Sequence, residues 1–158
     1  MLERENRLAI AQLQDTIVTC THCPRLVAYR QYTGERKVRR FQHEPYWAKP
    51  VPSFGDPQAR LLIVGLAPAA HGGNRTGRAF TGDRSGDWLY GALYAHGFAN
   101  QPTSGQRDDG LTLHDCFITQ VLHCVPPENK PARQEIECCQ SYMLTELRLL
   151  PNVRVIMP

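Results

Sequence analysis

The stretch ARLLIVGLAP, Ala59–Pro68, decides the fold. Leu61 to Val64 is an unbroken apolar run that ends at Gly65 and Pro68, the pattern of a short strand covered on both faces. Beyond it a glycine-bearing loop runs from Pro68 to about Gly86. DWLYGALYAHG, Asp87–Gly97, then reads as a helix with Trp88, Leu89, Ala92 and Leu93 on a common side, Trp88 and Tyr90 as packing residues, and Gly97 as its stop. A polar loop, Asn100–Gly110, leads to a second apolar run, HDCFITQVLHC (His114–Cys124), closed by Pro126-Pro127. Arg133–Leu150 reads as a helix and Val153–Met157 as a third strand. Strands alternating with helices predict an α/β fold, a three-layer α/β/α domain with a parallel sheet and right-handed crossovers. Ligands of such sheets sit beyond the carboxyl ends of the strands, where the loops Pro68–Gly86 and Val125–Pro131 both lie.

On the N-terminal side, Leu8, Ile10, Leu13 and Ile17 predict an amphipathic helix from Leu2 to about Thr16. Thr19 to Asp56 reads as a loop-rich stretch, whose Pro-rich segment EPYWAKPVPSFGDP (Glu44–Pro57) precludes long helices and central strands. Residues 1–158 therefore form one domain. A chain of this length buries roughly 70% of its unfolded surface, enough for a core without staples. The third strand has no following helix to cover it, which predicts a domain shortened at its C-terminal side.

With 42% hydrophobic and 21% charged residues, the composition excludes disorder and collagen-like repeats. No apolar run approaches the roughly 18 residues that a membrane span needs. The opening MLERENRLAIAQLQD carries charges of both signs and no apolar h-region, unlike a signal peptide. A soluble, intracellular protein is expected.

In that compartment the six cysteines are thiols or thiolates rather than a disulfide framework. Cys20 and Cys23 form a C-x2-C pair. Cys124 closes the second strand, and Cys139 lies near the start of the last helix, so the four can form an all-thiolate site. Cys138 points about 100° away from Cys139, so only one of the two should face that site. Cys116, on its strand, reads as an ordinary buried thiol. Zinc sites use two close-spaced pairs, whereas a four-iron cluster accepts scattered ligands; spacing leaves both open.

GLAPAAHGGNRTGRAFTGD, Gly65–Asp83, is neither a Walker A loop nor a dinucleotide fingerprint. It combines backbone that a ligand can approach closely with Phe80, Asp83, His71, Asn74, Arg75 and Arg78. Those are the parts for stacking a flat ring and stabilising a cationic intermediate. Asp83 or Ser85 also suits the N-cap of the next helix, and Phe80 also suits the core. Between Arg25 and Arg40, six basic residues face Glu35 alone. Interleaved with Tyr29, Tyr32 and Phe41, they suit a polyanion.

Taken together, CPRL (Cys23–Leu26) with Cys20, EPYWAKPVPSFGDP, the Gly65–Asp83 loop and VLHCVPPENKPARQEIECC (Val121–Cys139) resemble the uracil-DNA glycosylase superfamily. The resemblance is to its family 5, the type-B iron–sulfur branch, and runs from about Cys20 to the final residue. It implies a [4Fe-4S] cluster on Cys20, Cys23, Cys124 and Cys139, in place of zinc. It implies a DNA-repair enzyme that hydrolyses the N-glycosidic bond of uracil and other deaminated bases in DNA, as a cytoplasmic, nucleoid-associated monomer with no membrane partner. On this pattern Asp83 is the catalytic carboxylate, and Asn129 positions water or base. Phe80 stacks on the flipped base, and Gly65, Ala67, Pro68, His71 and Asn74 line its pocket. Arg36, Lys37, Arg39, Arg40, Arg75 and Arg78 are assigned to DNA.

The chain departs from related branches in three ways. It carries Ala67 and Ala70 early in the loop, and Gln120 where family 4 has an asparagine that reads uracil. Both fit a less selective pocket. The family's histidine-containing C-terminal motif does not occur. A non-catalytic iron–sulfur module that binds nucleic acid is the alternative reading.

Overall fold

The computed structural model describes residues 2–158. Its elements in chain order are α1 (Leu2–Val18), α2 (Pro24–Arg36), β1 (Phe54–Gly55), β2 (Leu61–Gly65), α3 (Gly73–Thr76), α4 (Arg84–Ala95), β3 (Cys116–Gln120), α5 (Arg133–Leu149) and β4 (Val155–Met157). Short 3-10 turns lie at Arg39–Phe41 and Pro127–Asn129.

The sheet order is β1-β3-β2-β4. β2 lies between β3 and β4 and is parallel to both, with Ile63 opposite Ile118 and Leu62 opposite Ile156. These three are the strands expected from the apolar runs. The fourth is a correction to the parallel sheet: β1 pairs antiparallel with β3 over two residues. Its Gly55, at φ 138°, approaches so closely that a Cβ would lie 2.5 Å from the Cys116 carbonyl oxygen.

Alternation along β2 and β3 builds the layers, because successive side chains point to opposite faces. Ile63 and Ile118 join Tyr90 and Leu93 of α4 in one core cluster. Leu62 and Phe117 face the other way, to Ile10 of α1 and Leu150 beyond α5. A buried polar knot joins this second layer. Glu146 accepts from Gln14 Nε2 at 2.8 Å and from Thr119 Oγ1 at 2.5 Å, tying α1 and α5 to β3.

α2 corrects the expectation of a loop-rich stretch from Thr19 to Asp56. Pro24 occupies its first turn, where the missing N–H costs nothing, and the next proline is Pro45. Leu26, Arg30 and Thr33, at helical spacing, are its buried residues. Trp88 is a third correction. The buried line of α4 is Gly86, Tyr90 and Leu93, which leaves Trp88 on the opposite face and 75% exposed. In β4, Val155, Ile156 and Met157 are each about half exposed. Among the described residues no helix is long and apolar enough to cross a membrane.

Candidate functional site

The loop leaving β2 is held by its own buried polar groups. Arg75, on α3, donates from Nε to the His71 carbonyl (2.7 Å), from Nη2 to the Gly82 carbonyl (2.8 Å) and from Nη1 to Glu44. Its guanidinium also lies 3.7 Å from the centre of the Phe41 ring. Arg78 pairs with Asp109 (2.9 Å) and donates to Thr81, Ser104 and the Arg107 carbonyl. Both arginines are buried. This corrects their assignment to DNA: they brace the loop, and their charge is spent on Glu44 and Asp109. Asn74 is also fully enclosed and donates to the Arg30 carbonyl, so it is part of the frame rather than the pocket wall. Pro68 is buried and packs beside Gly73, whereas Ala67 is half-buried.

The braced loop delivers Phe80 in an unusual conformation. Its φ is 51°, a left-handed setting that costs a bulky residue roughly 1–3 kcal/mol and persists only when its surroundings impose it. The preceding carbonyl, Ala79, accepts from Tyr90 Oη at 2.7 Å. The Phe80 ring lies against Gly65, where a Cβ would sit 2.8 Å from Cζ. Gln120, the register partner of Gly65 on β3, brings its Cγ to 3.5 Å from the same point. Its Oε1 is buried without a hydrogen-bond partner. A flat ring, a bare backbone edge and an unpaired amide oxygen thus meet at the carboxyl ends of β2 and β3.

A cleft of about 420 Å³ opens alongside. Ala69, Ala70, His71 and Gly72 form one wall, Asp83 and Arg84 another, and Glu128 with Asn129 a third; Tyr29, Arg40 and Phe41 complete it. Asp83 is the N-cap of α4, its Oδ1 accepting from Gly86 N–H at 2.9 Å. Oδ2 faces Gly72, where a Cβ would lie 2.1 Å away. The N-cap reading and the cleft reading of Asp83 therefore coexist, one oxygen for each. Glu128 and Asn129 both have positive φ, 54° and 57°, in the turn that brings Asn129 to the cleft. His71 accepts or donates at Nδ1 with Tyr46 Oη, 2.8 Å away. Burial, then the nearby Arg75 charge, holds its pKa below the ordinary histidine value. Sequence reasoning passed over Tyr46 and Glu128. The first stood inside a quoted motif, but its partner is 25 residues away.

Of the basic run, Arg36, Arg39 and Arg40 are exposed. Arg40 reaches the cleft over the Phe41 ring. Lys37 is half-buried and donates to the Glu44 carbonyl at 2.6 Å. Arg30 is buried and donates to the Ala48 carbonyl.

Cys20, Cys23, Cys124, Cys138 and Cys139 line a separate narrow pocket with Leu26, His123 and Tyr142. Cys138, although exposed, lines the same pocket beside Cys139, so both neighbours on α5 reach the pocket instead of one. Arg25 clamps the start of α2 to α5 through two 2.7 Å bonds to Glu135. Burial, then the neighbouring Cys138, pushes the Cys23 thiol up to about 12. Burial likewise raises Cys124 to about 12 and Cys139 to about 11, with the other cysteines adding to it. The thiols can ionise together only around positive charge. Among the described residues, no three His, Cys, Asp or Glu side chains are placed to hold a single metal ion. The thiols gathered there from three parts of the chain, beside His22, His123 and Tyr142, have donor chemistry that suits a multi-centre iron–sulfur group. Cys116 stands apart on β3, raised to about 12 by burial.

The uracil DNA glycosylase superfamily model matches residues 52–158. Curated relatives named type-5 uracil-DNA glycosylase are similar over most of the chain. That of Thermus thermophilus is 52% identical over 140 residues, 89% of this chain and 63% of that protein. That of Mycobacterium leprae is 49% identical over 142 residues, 90% of this chain and 62% of that protein. That of Pyrobaculum aerophilum is 48% identical over 131 residues, 83% of this chain and 57% of that protein. The chain thus spans 57–63% of the length of these relatives.

Proposed function

The chain belongs to the uracil-DNA glycosylase superfamily, and on that premise we propose that it excises uracil and other deaminated bases from DNA, hydrolysing the N-glycosidic bond and leaving an abasic site. The observation that carries this reading is the Phe80 ring, held at φ 51° against Gly65 with the Asp83 carboxylate on the adjoining cleft. A target nucleotide leaves the stack at a cost of a few kcal/mol, least for a mismatched base. Its base stacks on Phe80 over the Gly65–Ala70 backbone. As the glycosidic bond breaks, positive charge grows on the sugar and negative charge on the base. The Asp83 oxygen not used by Gly86 stabilises the former, and Asn129 across the cleft helps to place the attacking water.

Exposed Arg36, Arg39 and Arg40, with Lys37, contact the DNA backbone beside the cleft. Cys20, Cys23, Cys124 and Cys139 would hold a [4Fe-4S] cluster. When bound, it supplies the positive charge that lets these thiols ionise and crosslinks the start of α2, the end of β3 and α5. The protein acts as a cytoplasmic, nucleoid-associated monomer.

The test is a labelled duplex with a single uracil, incubated with the protein and cleaved with alkali. Strand scission at the uracil, lost on Asp83→Ala, is expected. A purified, folded chain that releases no base from any deaminated substrate overturns the enzymatic reading. Salt-sensitive binding without an abasic product would instead favour a non-catalytic nucleic-acid-binding module.

A further inference from the structure

Tyr46 and His71 meet with their rings edge-on, at an interplanar angle of 78°, and with Oη 2.8 Å from Nδ1. The surroundings of the phenol decide which atom donates. A protonated Nδ1 would make the phenol oxygen the acceptor of this bond. The phenol's own proton would then have no acceptor among the described contacts. With the phenol donating to Nδ1, both atoms of the contact are satisfied, and the ring proton must sit on Nε2.

The charged groups around this pair favour a neutral ring. Arg75 lies beside it, Arg40 and Arg84 face the same cleft, and Lys37 sits 5.8 Å from the centre of the Tyr46 ring. Asp83 and Glu128 are the acidic groups on the cleft walls, and Glu44 is engaged by Arg75. Nδ1 is occupied, which leaves Nε2 for the cleft.

We propose that Tyr46 is a positioning residue that fixes His71 as its Nε2–H tautomer, making His71 a neutral hydrogen-bond donor to a negatively charged oxygen of bound DNA. This rests on reading the cleft as a glycosylase site. The oxygen belongs either to a backbone phosphate beside the flipped nucleotide or to the departing base. A neutral donor holds it without the cost of placing another cation among Arg40, Arg75 and Arg84.

The test begins with long-range 15N–1H correlation spectra of the full chain at pH 7, with His71→Ala used for assignment. Wild type should show His71 protonated at Nε2 only, and Tyr46→Phe should shift it toward a tautomer mixture. A wild-type ring protonated at Nδ1, or at both nitrogens, overturns the proposal whether or not the protein releases bases. The second arm measures affinity for a duplex carrying non-cleavable 2′-fluoro-deoxyuridine, together with the single-turnover rate on the cleavable duplex. If the oxygen is a phosphate, Tyr46→Phe weakens binding about fivefold, and a methylphosphonate at the contacted position removes the difference. If it belongs to the base, the rate falls about tenfold with affinity unchanged. Affinity and rate both within about twofold of wild type would overturn the proposal. Should wild type release no base at all, the glycosylase reading fails while the tautomer and affinity still decide this one.

Discussion

Replacing Asp83 with asparagine separates two jobs that one carboxylate holds. Oδ1 caps α4 through Gly86 N–H at 2.9 Å, and asparagine keeps an acceptor there. Asn and Asp are near-equal caps, so the change should cost only a few tenths of a kcal/mol, and the melting temperature should move by about 1 °C or less. The lost charge is the larger effect. A carboxylate about 5 Å from a developing sugar cation, at an effective dielectric of about 20, contributes about 3 kcal/mol. That corresponds to about 200-fold in rate. Asp83→Ala should lose the same rate and, with the cap gone, about 1 kcal/mol of stability as well. The assay is single-turnover base release under saturating protein, paired with thermal unfolding of the same preparations. An asparagine variant within threefold of wild type, or one whose rate loss merely follows a fallen melting temperature, would refute the electrostatic role.

Gly65→Ala places a methyl 2.8 Å from Phe80 Cζ; single-turnover release should fall at least about tenfold while thermal unfolding shows a folded protein. Arg39→Ala and Arg40→Ala should each flatten the slope of log affinity against log salt by about one unit. Arg78→Ala, by contrast, should leave that slope unchanged and lower stability by about 2–3 kcal/mol in urea titrations, because Asp109 loses its counter-charge and keeps only the Gly105 and Leu111 N–H groups. Burial pushes the Asp109 carboxyl up, but the Leu111 and Gly105 N–H groups and the Arg78 guanidinium outweigh it and hold the group below its ordinary value. Its stabilisation is therefore present above the unfolded carboxylate pKa of about 4 and is lost as pH falls through the depressed folded value. Wild type and Asp109→Asn should differ in unfolding free energy at pH 7 and converge toward pH 2, as denaturant titrations at the two pH values would show.

The central strands and α1, α4 and α5 were legible because their apolar spacing is local. α2 was not, because the proline density of Glu44–Pro57 coloured the whole preceding stretch, although no proline follows Pro24 until Pro45. β1 is two residues long and paired only through β3, so no pattern within it announces a strand. At the site, the glycine-rich loop and the gathered cysteines could be read from residue type. The destination of a charge could not. Arg75 and Arg78 look like DNA ligands until Glu44 and Asp109, each 31 residues away, are seen to take them. The strain at Phe80 is equally invisible in one dimension, since the backbone of a loop residue is set by what packs around it.

The most direct measurement is a crystal structure of the Asp83→Asn protein with a duplex containing 2′-fluoro-deoxyuridine. The uracil should be flipped out and stacked on Phe80, its edge toward Gln120 and its sugar beside position 83. A uracil still stacked in the duplex, or lodged away from Gly65 and Phe80, would contradict the account.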